Sequence, residues 1–136
     1  VGMPYLEECL KEFPGTIFIG HGPGWWAEIS ADVTENDKKG YPKGPVKTPG
    51  KIDYLLEKYP NMYADLSAMS AYNALSRDLD VSKSFLEKHY QKLLFGTDRF
   101  VREEEPVMID LINKMELPTY MKEHIFTKNA ERMLNL

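Results

Sequence analysis

Two residues in this chain combine a reactive type with a telling position: His21, which ends TIFIG, and Asp98, which ends KLLFGTD. Thr16 to Gly20 is a β-branched and aromatic run that reads as a strand, and its alternation puts Ile17, Ile19 and His21 on one face. Lys92 to Gly96 reads as another strand, with Leu93, Leu94 and Phe95 as the continuous apolar run of a strand covered on both faces. Gly96 lets the chain turn, so Asp98 stands just past the carboxyl end of that strand, where α/β folds place their chemistry. An imidazole and a carboxylate so placed suit a metal site or a general acid–base pair. The plainer reading of Asp98 is a cap on the next helix. A third candidate, Asp65, lies inside MYADLS, where Tyr63, Asp65 and Ser67 share one face. An Asp within a strand is unfavourable unless it is paired or adjoins a site, and both roles are open to it.

The elements that must position these groups follow in chain order. YLEECLKEF, residues 5 to 13, carries the apolar stripe Leu6, Cys9, Leu10 and Phe13 of an amphipathic helix, and Pro14-Gly15 ends it. The stripe makes Cys9 a buried helix position rather than a reactive thiol. Residues 22 to 50 hold four prolines and five glycines with no sustained period, save for a short helix around Trp25 to Ser30. Loops of this length are usually lids or binding loops. Trp25 and Trp26 either pack the loop onto the domain or form a wall of a ligand pocket. KIDYLLEKY is a second amphipathic helix, and Met62 to Ser67 is another strand. Ala68 to Asp80 is partly helical. VSKSFLEKHY is a clearer helix that ends in His89, where an imidazole favours the negative end of the dipole. After Asp98, residues 102–105 read as an acidic helix start. Helices follow from Val107 and from Pro118, with His124 in no special role and Asn129 as a candidate cap for the last one. Strands separated by helical crossovers imply a parallel sheet.

The chain has 136 residues, 43% hydrophobic and 28% charged, with net charge −4, which is ordinary globular composition. That charge leaves no basic footprint for nucleic acid. No apolar run approaches a membrane span, and no basic-then-apolar leader is present, so a cytoplasmic location is expected. The single cysteine excludes an internal disulfide. GHGPG after the first strand is not a phosphate-binding GxGxxG.

Taken together, FIGHGPG, YPNMYADLSA, LLFGTDRF and the terminal KNAERMLNL resemble the last part of the amidohydrolase superfamily. The closest likeness is to its amidohydrolase-related branch of metal-dependent hydrolases and decarboxylases. The resemblance runs from about Thr16 to Leu136 and matches FIGHG, MYADLS and KLLFGTD to the sixth, seventh and eighth strands of that family's (β/α)₈ barrel. It implies an α/β fold that is a partial TIM barrel: strands 6–8, their helices and the C-terminal helix. His21 then resembles the histidine that polarises or deprotonates water or substrate, or ligates a second metal in binuclear members. Asp98 resembles the aspartate that binds the metal and shares the proton of its water, so it is both catalytic residue and metal ligand. Trp25, Trp26 and the long loop would line the substrate pocket. The implied cofactor is a divalent metal, Zn²⁺ first.

The departures matter as much. The first-strand His-x-His pair is absent, and so is the next ligand from the fourth or fifth strand. A catalytic Zn²⁺ normally takes at least three protein ligands plus water. At about 250 residues for a typical barrel, the chain reads as a single incomplete domain, 1–136, of a longer enzyme and inactive alone. The reaction expected of the whole is hydrolysis or decarboxylation of a small organic acid, ester or amide, with a small-molecule substrate and room for homo-oligomerisation. The alternative is a small non-catalytic α/β binding domain that uses the Trp25/Trp26 loop.

Overall fold

The computed structural model describes residues 1–99, 101 and 106–136. The expected acidic helix start at 102–105 lies outside the described residues. In chain order the elements are α1 (Pro4–Glu12), β1 (Phe18–Gly20), α2 (Pro23–Trp26), α3 (Lys51–Lys58), β2 (Met62–Asp65), α4 (Ala68–Ser76), α5 (Leu79–His89), β3 (Leu93–Leu94), α6 (Val107–Lys114), α7 (Thr119–Glu123) and α8 (Asn129–Leu134). The strands form one parallel sheet in the order β1-β2-β3. Ala64 stands opposite both Gly20 and Leu93, so the three carboxyl ends lie along one edge. No helix among the described residues is long and apolar enough to cross a membrane.

Alternation along the strands sorts the sheet into two unlike faces. Met62, Ala64 and Leu66 are buried, together with Gly20 and Leu93. They join Ile52, Leu55 and Leu56 of α3, Leu75 of α4, Leu86 of α5 and Ile112 of α6 in a single apolar cluster. On the opposite face Ile17 and Ile19 are each 45% exposed. The sheet is therefore covered on one face at β1, whereas β3 is buried on both, as its continuous apolar run predicts. Helices form on the side where α3 to α6 return, and no described element lies over Ile17 and Ile19. Leu94, whose position also falls on the open face, is nonetheless buried.

Side chains with buried polar partners tie the periphery to this sheet. Asn61 donates to the carbonyls of Leu10, Phe13 and Thr16 at 3.1–3.2 Å, fixing the turn between α1 and β1. Asn129 is fully buried and donates to the carbonyls of Tyr90 and Leu93 at 2.6 and 2.8 Å. It braces β3 instead of capping α8. Its Oδ1 lies 3.1 Å from His124 Nδ1, so His124 also belongs to the brace. Glu7 receives Lys51 Nζ and the Tyr59 hydroxyl, joining α1 to α3. The hydrogen bond from Lys51 is the main reason its carboxyl is held far below the usual range. The expected stripe on α1 buries Leu10 alone: Cys9 is half-buried and Phe13 exposed.

His89 is an interior residue rather than a dipole partner at the surface. Its Nε2 lies 2.7 Å from Asp53 Oδ1, and Lys88 bridges Asp53 and Glu57 at 2.8 Å each, so α5 is tied to α3. Burial pushes the His89 imidazole below its ordinary value of 6.5. Burial acts to raise Asp53, but the hydrogen bonds from Lys88 and His89 outweigh it and leave the carboxyl below 3.8. Both groups bind protons more readily in the unfolded chain, so stability rises with pH over their range. The His89 contribution is complete above about pH 6.5 and is lost as pH falls towards its lowered folded value; that of Asp53 is lost at more acid pH. Thermal melts should show Tm falling from pH 7.5 to pH 5, and His89→Gln should flatten that slope. An equal slope in the variant would assign it to other groups. The open sheet face predicts self-association. In sedimentation velocity, the Ile17→Thr/Ile19→Thr variant should show a larger monomer share than the unaltered chain.

Candidate functional site

The parallel register delivers the ends of the three strands to one place. β1 ends in Gly20 and hands the chain to His21, β2 ends in Asp65 two residues before Ser67, and the segment after β3 carries Asp98. His21 Nδ1 lies 3.3 Å from Ser67 Oγ and 3.5 Å from Asp65 Oδ1. Its Nε2 lies 3.9 Å from Asp98 Oδ2. The two residues singled out by type and position therefore meet, with the Asp98 carboxylate facing the imidazole. His21 and Asp98 are about half exposed, so water reaches both. Asp65 stands beside the site and is also structural: its Oδ1 accepts the Ser67 backbone N–H at 2.7 Å, and its carbonyl accepts Trp26 Nε1–H at 3.1 Å.

Asp98 also borders a cavity of about 460 Å³, lined by Tyr41, Ala68, Met69, Thr97, Val107 and Met108 among others. Its walls come from the segments after β2 and β3, from the start of α6, and from the long loop through Tyr41. Two non-glycine residues on this wall have left-handed backbone: Ala68 at φ 59° and Asp98 at φ 51°. Such conformations cost roughly 1–3 kcal/mol each and persist only where the surroundings enforce them. Both follow strand ends and border the cavity, whereas Met3, Glu116 and Asn135, the other such residues among those described, lie elsewhere.

Trp25 and Trp26, expected as pocket walls, lie in the core at 5% and 1% exposure and do not line this cavity. A Cβ on Gly20 would fall 2.2 Å from the Trp25 ring, so the indole packs flat against the end of β1. Trp26 packs edge-on to Phe85. Within residues 22–50, Tyr41 lines the cavity while other parts of the loop are tied to the domain. Glu28 is buried and accepts from Lys38 Nζ at 2.9 Å and from the Gly2 backbone N–H at 2.7 Å, while Ser30 and Pro49 form a bridge that closes the loop at its base. Ser67 is the site residue that residue type did not single out, although its position on the face of Tyr63 and Asp65 was the available signal.

The donor set fits one side of a metal site. Two ligands of a tetrahedral ion at about 2.1 Å would stand roughly 3.4 Å apart, close to the 3.9 Å between His21 Nε2 and Asp98 Oδ2. Asp65 faces the other ring nitrogen and cannot complete that shell. Among the described residues no group of three His, Cys, Asp or Glu side chains is placed to hold an ion. The donors among the described residues leave a metal shell open.

The chain is thus an α/β protein with a parallel sheet and a polar, water-accessible site at the carboxyl ends of its strands. It belongs to the amidohydrolase family: the family model Amidohydrolase matches residues 2–136, nearly the whole chain. No curated protein and no solved structure matches it. Membership points to hydrolase-like function and to a family that generally uses divalent metals. The strained wall gives a direct test. Ala68→Gly should raise stability by about 1 kcal/mol, because glycine adopts positive φ without penalty. Asp98→Gly should likewise raise Tm while deleting the carboxylate. A drop in Tm for both would show that the left-handed backbone carries no strain.

Proposed function

We propose that this chain is the C-terminal part of a metal-dependent amidohydrolase barrel, supplying strands six to eight, and that its site hydrolyses or decarboxylates a small organic acid, ester or amide. The observation that carries the reading is the convergence of His21 and Asp98 at the carboxyl ends of β1 and β3, beside a cavity large enough for a small molecule. The uncovered face of a parallel sheet supports the barrel, since such sheets are normally covered on both sides. The open metal shell is consistent with further ligands from the rest of that barrel.

In this reading Asp98 is one anionic ligand of a divalent ion, Zn²⁺ by preference, which when bound would activate water or polarise a carbonyl. His21 takes up or delivers a proton at Nε2, the ring nitrogen on the Asp98 side. Ala68, Met69, Val107 and Met108 provide the apolar body of the substrate pocket, with Tyr41 at its edge. The chain alone, short of ligands, binds Zn²⁺ weakly and does not turn over.

The test is metal analysis beside kinetics, in the protein encoded by the complete reading frame. Asp98→Asn keeps the shape but removes the ligand charge, so metal content and activity should fall together. His21→Asn should keep most of the metal in a mononuclear site yet lower kcat on the order of 10²–10⁴-fold, the usual weight of a general acid–base. Full metal and activity in Asp98→Asn would remove Asp98 from the site and overturn the reading.

A further inference from the structure

The two ring nitrogens of His21 meet unlike surroundings. On the Nε2 side stands Asp98 Oδ2, at 3.9 Å and half exposed. On the Nδ1 side stand Ser67 Oγ at 3.3 Å and Asp65 Oδ1 at 3.5 Å. The Nδ1 side is also the rigid one. Asp65 Oδ1 is fixed by the Ser67 backbone N–H at 2.7 Å, and the Asp65 carbonyl by the buried Trp26 indole at 3.1 Å. Ser67 is itself buried, and a Cβ on Gly96 would approach its Cβ to 3.2 Å, so it has little room to shift.

We propose that Asp65 and Ser67 are positioning residues that hold neutral His21 with its proton on Nδ1 and thereby aim an unprotonated Nε2 at Asp98. The inference rests on the reading of His21 as the acid–base group. In a neutral imidazole one nitrogen donates and the other accepts, and the partner of one decides the state of both. An ionised carboxylate only accepts, so an unprotonated Nδ1 would set its lone pair against Asp65. Asp98 exerts the opposite preference at Nε2, but more weakly: it stands at 3.9 Å and open to water, whereas on the Nδ1 side the Asp65 carboxylate is nearer and less exposed and the Ser67 hydroxyl, at 3.3 Å, can accept. The Ser67 hydroxyl accepts from Nδ1–H as readily as it donates elsewhere. The outcome is a lone pair at Nε2, directed into the space it shares with Asp98. That lone pair is ready to take a proton from a water or to meet a cation there. The Nε2–H form would first have to lose its proton. Neither Asp65 nor Ser67 needs to touch substrate for this.

The state of the ring is read directly from a long-range ¹H–¹⁵N spectrum of the uniformly ¹⁵N-labelled full chain, in alkaline buffer with chelator, so that the imidazole is neutral and metal-free. Nδ1 should carry the proton in most molecules, the reverse of an ordinary solvent-exposed histidine. Asp65→Asn and Ser67→Ala should each shift the ratio several-fold towards Nε2–H, and Ser67→Thr, which keeps the hydroxyl, should restore it. An Nε2–H majority in the unaltered chain overturns the proposal, as does an unchanged ratio in both variants. If Asp65→Asn does not fold, the unaltered chain and the Ser67 pair decide. The spectrum needs no turnover, so Nδ1–H in the chain beside an inactive protein from the complete reading frame counts against the hydrolase reading alone. An active one with Nε2–H counts against the positioning roles alone.

Discussion

The pairing of β2 with both of its neighbours is the constraint on which the rest of the structure depends. Ala64 aligned with Gly20 and with Leu93 sets three strands in one direction and one register. Groups far apart in the chain, at positions 21, 65, 67 and 98, are then brought to one edge of one sheet. Because side chains alternate along a strand, a slip of one residue in β2 would send Asp65 and Ser67 into the apolar layer and Ala64 and Leu66 into water. The burial of Met62, Ala64 and Leu66 under the helices therefore also places the polar residues beside His21.

The same asymmetry explains both what is stable about the fold and what is exposed. One face of the sheet carries the hydrophobic cluster, and loops and helices reach it through buried polar anchors, each with its partners in place: Asn61, Asn129 and Glu28. A buried polar group without partners would cost on the order of 1–3 kcal/mol, so these contacts tie the turn after α1, the start of α8 and part of the long loop to the rest of the fold. The other face keeps its charged and imidazole groups at the strand ends, where water is available, and leaves Ile17 and Ile19 exposed along its length.

At the strand ends the backbone departs from regular structure. The positive φ of Ala68 and of Asp98 turns the chain sharply after β2 and after β3, and both residues border the cavity. The turn at Asp98 leaves its carboxylate facing His21. The turn at Ala68 begins α4 immediately behind Ser67, which keeps that hydroxyl buried against the imidazole. At Asp98 a left-handed backbone, the cavity wall and a reactive side chain thus coincide.

The sequence by itself determined the local elements and the two reactive positions. The alternation in TIFIGH and MYADLS, the apolar run of KLLFG and the helical stripe of KIDYLLEKY are properties of neighbouring residues, and a strand end is visible from the residues that stop it. The quoted motifs carried the family as well. What they left undetermined was which element lies across from which. An indole is equally suited to a pocket wall and to a core, and only the approach of Trp25 to Gly20, with Trp26 bonded to Asp65, put both inside. Asn129 looks like a cap in sequence because its role depends on carbonyls at Tyr90 and Leu93, some forty positions earlier. His89 became a buried partner of Asp53 for the same reason. Likewise, alternation put Ser67 on the site face, but its contact with His21 exists only once β1 and β2 are paired. Periodicity is a local property of a chain, whereas burial and hydrogen-bond partnership belong to pairs of distant segments, and folding alone decides those pairs.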